Sequence, residues 1–115
     1  MDAADVVAEL RRHRTIDITT IGARTGRRRL IETWAWVDGE TVYLTGSPGR
    51  RDWYANLLAH SGFTIHLKRA LRADIPARAV PIVDREQRRA VFARIHPADA
   101  DTWTDGSPLV EVDFS

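Results

Sequence analysis

The chain has 115 residues, with 17 lysines and arginines against 16 aspartates and glutamates, and it has no cysteine. This length predicts one domain with a single core, residues 1–115, and the net charge of +1 excludes a general attraction of the whole molecule to polyanions. The absence of cysteine excludes disulfides, thiolate catalysis and cysteine-ligated metals and favours a cytoplasmic protein, and no apolar run is long enough for a signal peptide or a membrane span.

The first part of the chain predicts a short helix followed by three strands. Residues 2–13 form an amphipathic pattern that Asp2 can cap. Apolar and polar residues then alternate in RTIDITTIG, residues 14–22, which is typical of a half-buried strand. Residues 30–46 predict two more strands joined at Asp38-Gly39, because Asp-Gly between apolar runs is a strong hairpin signal. These three strands should be antiparallel neighbours.

The middle of the chain predicts a second helix and a second hairpin. Residues 47–60 open with a Ser-Pro-Gly turn and continue as a helix that Asp52 can cap. The alternation in FTIHLK, residues 63–68, predicts a strand, and residues 71–83 contain its partner.

The last part of the chain predicts a third helix and a closing strand. Asp84 can cap a helix, with Gln87 placed for a capping box and Val83 placed as a hydrophobic staple. A loop rich in proline and aspartate, which contains Trp103, then leads to a strand within SPLVEVDF, residues 107–114. Six strands joined by hairpins, with about three helices, predict an α+β fold with a mainly antiparallel sheet curled into a small barrel.

Several common kinds of site are not indicated. The four histidines, His13, His60, His66 and His96, have neither the spacing nor the neighbouring carboxylates of a metal site, so no metal is predicted. The chain has no nucleophile elbow, no phosphate-binding P-loop and no Rossmann glycine pattern.

The most unusual segment is TTIGARTGRRR, residues 19–29. We call residues 22–29 of this segment the arginine turn. Gly22 and Gly26 permit positive φ angles, so that the turn can curl and aim several amide groups at one anion. Arg24 at the tip and Arg29 at the start of the next strand can each add a charge-assisted hydrogen bond of about 1.5–3 kcal/mol. The residues therefore indicate a phosphate or carboxylate ligand, and the alternative is a solvated turn whose arginines serve solubility.

The same residues carry a family resemblance. The run TTIGARTGRRR, the segment DWYANLLAH and the following FTIHL resemble the signature order of the deazaflavin-dependent nitroreductases, split β-barrel oxidoreductases that use coenzyme F420. The resemblance extends over most of the chain, including DREQRRAVFARI and the closing SPLVEVDF. It implies an FMN-binding split-barrel-like fold and hydride transfer from the reduced deazaflavin to a quinone, a nitro compound or another electron-poor small molecule.

The resemblance also implies which residues bind the cofactor. The arginine turn would hold its phosphate and acidic oligoglutamate tail, a second segment would line the other side through backbone groups, and a short helix would contact the tail or the ring. In this order the residues are Arg24, Thr25, Gly26 and Arg29, then Thr45, Gly46 and Ser47, then Trp53 and Asn56. No catalytic residue is implied.

The sequence departs from the family pattern at four positions. Ala23 replaces a frequent arginine, Glu32 and Thr33 stand where Pro-Leu is frequent, and Asp52 replaces the usual proline before the tryptophan. A carboxylate that faces a polyanionic ligand repels it. Glu32 would therefore oppose cofactor binding if it faced the site.

Three other functions stay open at this point. The arginine turn could hold the phosphate of FMN or the propionates of haem in a barrel of the same kind. The arginines could form one basic face for nucleic acid, although we expect no nucleic-acid partner: Arg24, Arg27, Arg28, Arg29, Arg50, Arg51, Arg69 and Arg72. The chain could also be a degenerate relative that binds nothing. Either a monomer or a homodimer is compatible with the sequence.

Overall fold

The structure is a computed structural model that describes residues 2–115. Its helices and strands alternate in a pattern close to the predicted one. In chain order they are α1 (Ala3–Arg12), β1 (Thr15–Ile21), β2 (Arg28–Asp38), β3 (Thr41–Thr45), α2 (Asp52–Ala59), β4 (Gly62–Lys68), β5 (Arg72–Pro81), α3 (Arg85–Ile95), a 3₁₀ turn (Pro97–Asp99), α4 (Ala100–Gly106) and β6 (Leu109–Asp113).

The six strands close into a barrel in the order β1-β2-β3-β6-β5-β4. Every neighbouring pair is antiparallel, including β1 with β4, the pair that closes the barrel. The tight turn between β2 and β3 places Asp38 opposite Thr41, with Gly39 at φ 61°. The predicted α+β fold with a mainly antiparallel six-stranded barrel is therefore confirmed.

Alternate residues of each strand fill the barrel. Ile16 and Ile18 of β1, Leu44 of β3 and Ile65 of β4 all point inward and are buried. Helices α1 and α2 add apolar residues to the same core, since Leu10 of α1 is fully buried within it. Burial of these side chains, at about 1.5–3 kcal/mol each, is the main force that holds the barrel closed.

A second apolar layer covers the outer face of β2, β3 and β6. Phe92 of α3 is fully buried there against Tyr43 and Leu109. Arg94 of α3 also donates a 2.7 Å hydrogen bond to Asp38. This bond is the main cause, and the interaction with Tyr43 the second, that raises the pKa of Arg94 above its ordinary value. Helices α3 and α4 are therefore fixed over β2, the strand that contains Trp34 and Trp36.

The number of helices and the loop around Trp103 were predicted wrongly. Trp103 lies in α4, so the structure has four helices rather than about three. Its indole packs edge-on against Phe92 and Trp36, with ring centroids 5.9 and 6.2 Å apart. This packing stabilises a short helix in a segment whose aspartates and flanking prolines, Pro97 and Pro108, favour a loop, because tertiary burial outweighs local propensity.

The predicted helix caps are only partly confirmed. Asp2 and Asp84 cap α1 and α3, and Asp84 accepts the backbone N–H of Gln87 at 2.9 Å. Asp52, however, is the first residue of α2, and Arg51 occupies the cap position without a side-chain bond. Val83 forms no staple, since it is 74% exposed. The residue in the staple position of α3 is Arg88, which offers no apolar partner.

Candidate functional site

A cavity of about 670 Å³ lies beside the free edge of β2. Strand β3 pairs only with residues 35–38 of β2, so the earlier part of β2 has β1 as its only neighbour. The lining includes the consecutive residues 31–34, which point alternately to opposite faces, so the cavity meets this strand at its edge. The rest of the lining comes from Trp36, residues 45–47, residues 51–53, and the pair His96 and Trp103.

All four tryptophans of the chain line this cavity. Trp34 is 52% exposed, whereas Trp53 is almost fully buried. Trp36 lies between Trp34 and Trp103, with both ring centroids 6.2 Å from its own. The buried indole N–H of Trp36 has no hydrogen-bond acceptor within residues 2–115. The cavity therefore presents broad aromatic surfaces that suit a flat ring system.

The cavity also contains two carboxylates and one guanidinium group. Glu32 and Asp52 both line it, which is the placement that opposes binding of an anion. Arg51 lines it as well and offsets one of these charges. The guanidinium of Arg51 donates to the backbone oxygen of Ser47 at 3.0 Å and to its hydroxyl at 3.2 Å. Arg51 therefore also fixes the loop that follows β3.

The arginine turn is closed mainly by its own backbone. The Gly22 N–H donates to the Arg27 oxygen at 2.7 Å, and the Gly26 N–H donates to the Gly22 oxygen at 2.9 Å. A positive φ was predicted at both glycines; Gly26 has φ 69°, whereas Gly22 does not have a positive φ. A Cβ at position 22 would lie 2.6 Å from Oγ1 of Thr25 and 3.3 Å from the Arg27 backbone oxygen, so a larger residue there requires the turn to shift.

The turn keeps only part of its donors available for a ligand. Arg27 donates its N–H to Oγ1 of Thr25 at 3.2 Å, and Ala23 donates to the side chain of Asn56. Within residues 2–115, the backbone N–H groups of Arg24 and Thr25 have no acceptor. All residues from 23 to 30 are exposed. The anion-binding capacity of the turn therefore resides in two amides at its tip and in its guanidinium groups.

The arginines of this turn divide between the two faces of β2. Arg29 is opposite the fully buried Thr20 and therefore lies on the inner side of the sheet. It precedes Ile31 of the cavity lining by two residues, about 7 Å along the strand. Arg28 lies on the outer side, where it borders a second cavity of about 540 Å³. Arg29 is thus the arginine of this turn that comes nearest along β2 to the lining of the tryptophan-lined cavity.

Asn56 of α2 anchors the arginine turn. Its Oδ1 accepts the Ala23 N–H at 2.9 Å, and its Nδ2 donates to Oγ1 of Thr20 at 3.0 Å. The side chain is buried, so both of its polar ends are committed to the protein. The geometry makes Asn56 a positioning residue for the turn.

We expect Asn56→Ala to lower the free energy of unfolding by about 1–3 kcal/mol, because it leaves the Ala23 amide and the Thr20 hydroxyl without their partner. Urea unfolding followed by tryptophan fluorescence measures this loss. The control is Leu58→Ala in the same helix, which should stay within about 0.5 kcal/mol because Leu58 is 54% exposed. Equal effects of the two substitutions would contradict the anchoring role.

The predicted site residues fall into two groups in the structure. Lining the cavity are Thr45, Gly46, Ser47 and Trp53; outside its lining are Arg24, Thr25, Gly26, Arg29 and Asn56. The hydroxyl of Thr45 donates to the backbone oxygen of Pro108, so this proton is not available to a ligand. Sequence reasoning did not assign Trp34, Trp36, Trp103 and His96 to the site. The spacing of Trp34 and Trp36, on one face of a predicted strand, was the one available signal.

Two of the other basic residues, Arg69 and Arg72, lie near the opposite end of β1 from the arginine turn. Lys68 pairs with Arg72 where β4 meets β5, next to the beginning of β1. The arginine turn follows the end of β1, about 20 Å away for a strand of this length.

Within residues 2–115 no group of three or more histidines, aspartates or glutamates is placed to hold a metal ion, and no helix is long and apolar enough to cross a membrane.

Comparison with known proteins gives one family and several structural neighbours. The sequence profile of the F420H(2)-dependent quinone reductase family matches residues 1–113. A structure described as an F420-H2 dependent reductase shares 20% identity at a TM-score of 0.56, covering 88% of this chain and 95% of that one. A putative 5-nitroimidazole antibiotic resistance protein from Bacteroides thetaiotaomicron shares 12% identity at a TM-score of 0.68, covering 98% and 80%.

A third neighbour extends the structural likeness to another class of protein. A putative pyridoxamine 5'-phosphate oxidase from Listeria innocua shares 10% identity at a TM-score of 0.66, covering 96% of this chain and 90% of that one. At such identities the likeness concerns the fold alone. No curated protein sequence matches the chain.

Proposed function

Because the chain belongs to the F420H(2)-dependent quinone reductase family, we propose that it is an oxidoreductase that binds reduced F420 and passes a hydride to a quinone, a nitro compound or another electron-poor acceptor. The observation that carries this proposal is the cavity lined by all four tryptophans, with Arg29 of the arginine turn two residues before the lining along β2. The proposed location is the cytoplasm, as the cysteine-free sequence favours.

The residues present fit this cofactor in two parts. The cavity volume of about 670 Å³ lies within the usual range of about 300–1,000 Å³ for small-molecule sites, and its indole rings suit a flat tricyclic ring. The exposed guanidinium groups of Arg24 and Arg29 suit a phosphate and a carboxylate tail. The cavity supplies the aromatic surface, and the arginine turn supplies the positive charge.

The charges of the site favour one orientation of such a ligand. Glu32 and Asp52 line the cavity and repel anionic groups from it, whereas Arg24 and Arg29 outside the cavity attract them. A ligand with an uncharged ring and an anionic tail therefore lies with its ring among the tryptophans and its tail along the arginine turn. This arrangement also explains how acidic residues in the cavity are compatible with an acidic cofactor.

Several residues of the chain hold the elements around the cavity in position. Trp53 and the loop of residues 45–47 enclose one side of the cavity, and Arg51 holds that loop through Ser47. Asn56 holds the arginine turn. The bound deazaflavin supplies the hydride. Holding the cofactor and the acceptor together in a cavity that excludes much of the water would supply a large part of the acceleration.

The test is a titration of the protein with F420, FMN, haem and an oligonucleotide, followed by quenching of the tryptophan fluorescence at two salt concentrations. Quenching by F420 at micromolar concentration, with no comparable effect of the other three, is the expected result. Preferential binding of FMN or haem would reassign the cofactor of the same cavity. Preferential binding of the oligonucleotide with a steep salt dependence would indicate a nucleic-acid protein, and no binding at all would indicate a degenerate relative.

A further inference from the structure

His96 holds a defined position in the tryptophan-lined cavity. It follows the last residue of α3, and its backbone N–H donates to the Phe92 oxygen at 2.8 Å. Its ring centroid lies 3.9 Å from that of Trp103 and 5.4 Å from that of Trp36. The two indoles hold the imidazole in place while it contributes to the cavity lining.

The imidazole of His96 is not engaged in hydrogen bonds within residues 2–115. The only charged partner that the structure gives it is Asp99, whose Oδ2 lies 3.7 Å from Nε2, beyond hydrogen-bond distance. The other charged groups near the aromatic cluster are Glu32 from β2, Arg51 and Asp52 at the start of α2, and Arg14, whose guanidinium lies 5.5 Å from the Trp36 ring centroid. A proton on His96 is therefore free to be passed to a bound molecule.

Reduction of a quinone needs a proton as well as a hydride. A hydride from the reduced deazaflavin would bring two electrons and one hydrogen nucleus and would convert the quinone to a hydroquinone monoanion. The oxidised deazaflavin would release the second hydrogen of the reduced cofactor to solvent as a proton. One proton must then reach the second oxygen to give the neutral hydroquinone. Histidine is the side chain whose ordinary charge change falls between pH 5 and 8, which suits it to this transfer at neutral pH.

We propose that His96 is a catalytic residue that donates this proton to the reduced acceptor, an inference that rests on the proposed function. The proton passes from the imidazolium to the hydroquinone oxygen, and the neutral imidazole recovers a proton from solvent, to which 24% of its side chain is open. Asp99, whose Oδ2 lies 3.7 Å from Nε2, is the nearest carboxylate to this imidazole. Removal of the proton donor should therefore slow only acceptors that need a separate proton.

The experiment compares two acceptors in the protein loaded with reduced F420. Menadione, an uncharged naphthoquinone, takes a hydride and then a proton, whereas the cationic dye methylene blue becomes neutral by taking a hydride alone. We expect His96→Gln to lower kcat/KM about 10-fold for menadione, less than a full general-acid effect because water can also donate, and to leave methylene blue within about 2-fold. Added imidazole should restore part of the menadione rate.

The control is His60→Gln, an exposed histidine at the other end of α2, which should leave both rates unchanged. A readout independent of turnover uses unloaded protein, where the imidazole NMR signals that disappear in His96→Gln should shift when menadione is added. Thermal unfolding of both variants shows whether the fold is kept.

Different failures have different meanings. Equal losses with both acceptors, or no loss with either, would overturn the role of His96 and leave the proposed function intact. NMR shifts confined to the other histidines would also overturn it. A wild-type protein that binds F420 but reduces neither acceptor would contradict the proposed function and this inference with it.

Discussion

Replacing Arg24 and Arg29 together with alanine is expected to weaken F420 binding about 100-fold, because each lost charge-assisted hydrogen bond to the tail is worth at least about 1.5 kcal/mol. The fold should be unaffected, since both side chains are exposed and make no hydrogen bond or ion pair within residues 2–115. Each single substitution should account for about 10-fold. Tryptophan quenching by F420 measures all three variants.

The matched control is Arg72→Ala. Arg72 is equally exposed and carries the same charge, but it lies at the opposite end of the barrel, where β5 pairs with Lys68. Its removal should change F420 affinity by less than 2-fold at about 0.15 M salt, where the screening length is about 8 Å. If Arg72→Ala weakened binding as much as the arginine-turn variants, general electrostatic attraction rather than a local tail site would explain the affinity.

Replacing Arg88 with methionine is expected to cost about 3 kcal/mol of folding free energy. The guanidinium of Arg88 donates to the backbone oxygens of Thr104 at 2.9 Å and Ile82 at 3.0 Å, and it donates to that of Ser107 as well. These bonds join α3 to α4 and to the start of β6. Methionine keeps an unbranched apolar stem but leaves the three carbonyls without their donor, at about 1 kcal/mol or more each, and it removes the guanidinium that lies 5.7 Å from the Phe92 ring centroid.

The neighbouring residue of the same helix is the control for Arg88. Arg89 forms one exposed ion pair, 3.1 Å to Asp101, so Arg89→Met should change stability by about 0.5 kcal/mol or less. Urea unfolding with unchanged slope for both variants makes the comparison direct. A loss for Arg88→Met no larger than that for Arg89→Met would show that the three carbonyls are satisfied without the guanidinium.

The barrel was predictable because its strands carry local signals. The alternation of Ile16 and Ile18 with polar residues, and of Phe63, Ile65 and Leu67 with Thr64, His66 and Lys68, places one face inward in each strand. Asp38-Gly39 indicated the first hairpin. These signals are readable because the side-chain period of a strand is set by backbone geometry and not by its neighbours.

The site was less predictable because it depends on contacts between distant segments. Trp103 and His96 reach Trp36 only through the packing of α3 and α4 over β2, and nothing local to Trp103 indicates a helix. Arg88 offers a second example, since its three carbonyl partners lie between 6 and 19 residues away. Sequence patterns report local periodicity, whereas these placements are fixed by tertiary packing.

The role of the arginine turn is a prediction that combines the sequence pattern with the placement of the turn in the structure. The sequence indicated an anion site there, and the structure places Arg29 about 7 Å along β2 from the cavity lining. Most of the turn's amides are used to close it or to bind Asn56. Affinity for an anionic tail should therefore depend on guanidinium groups more than on the backbone.

The most direct measurement compares whole F420 with a deazaflavin ring that lacks the phosphate and glutamate tail, in wild type and in Arg24→Ala/Arg29→Ala. The account predicts that wild type binds whole F420 about 100-fold more tightly than the ring alone and that the double variant binds the two almost equally. An unchanged preference for whole F420 in the double variant, or ring binding that does not quench the tryptophans, would contradict it.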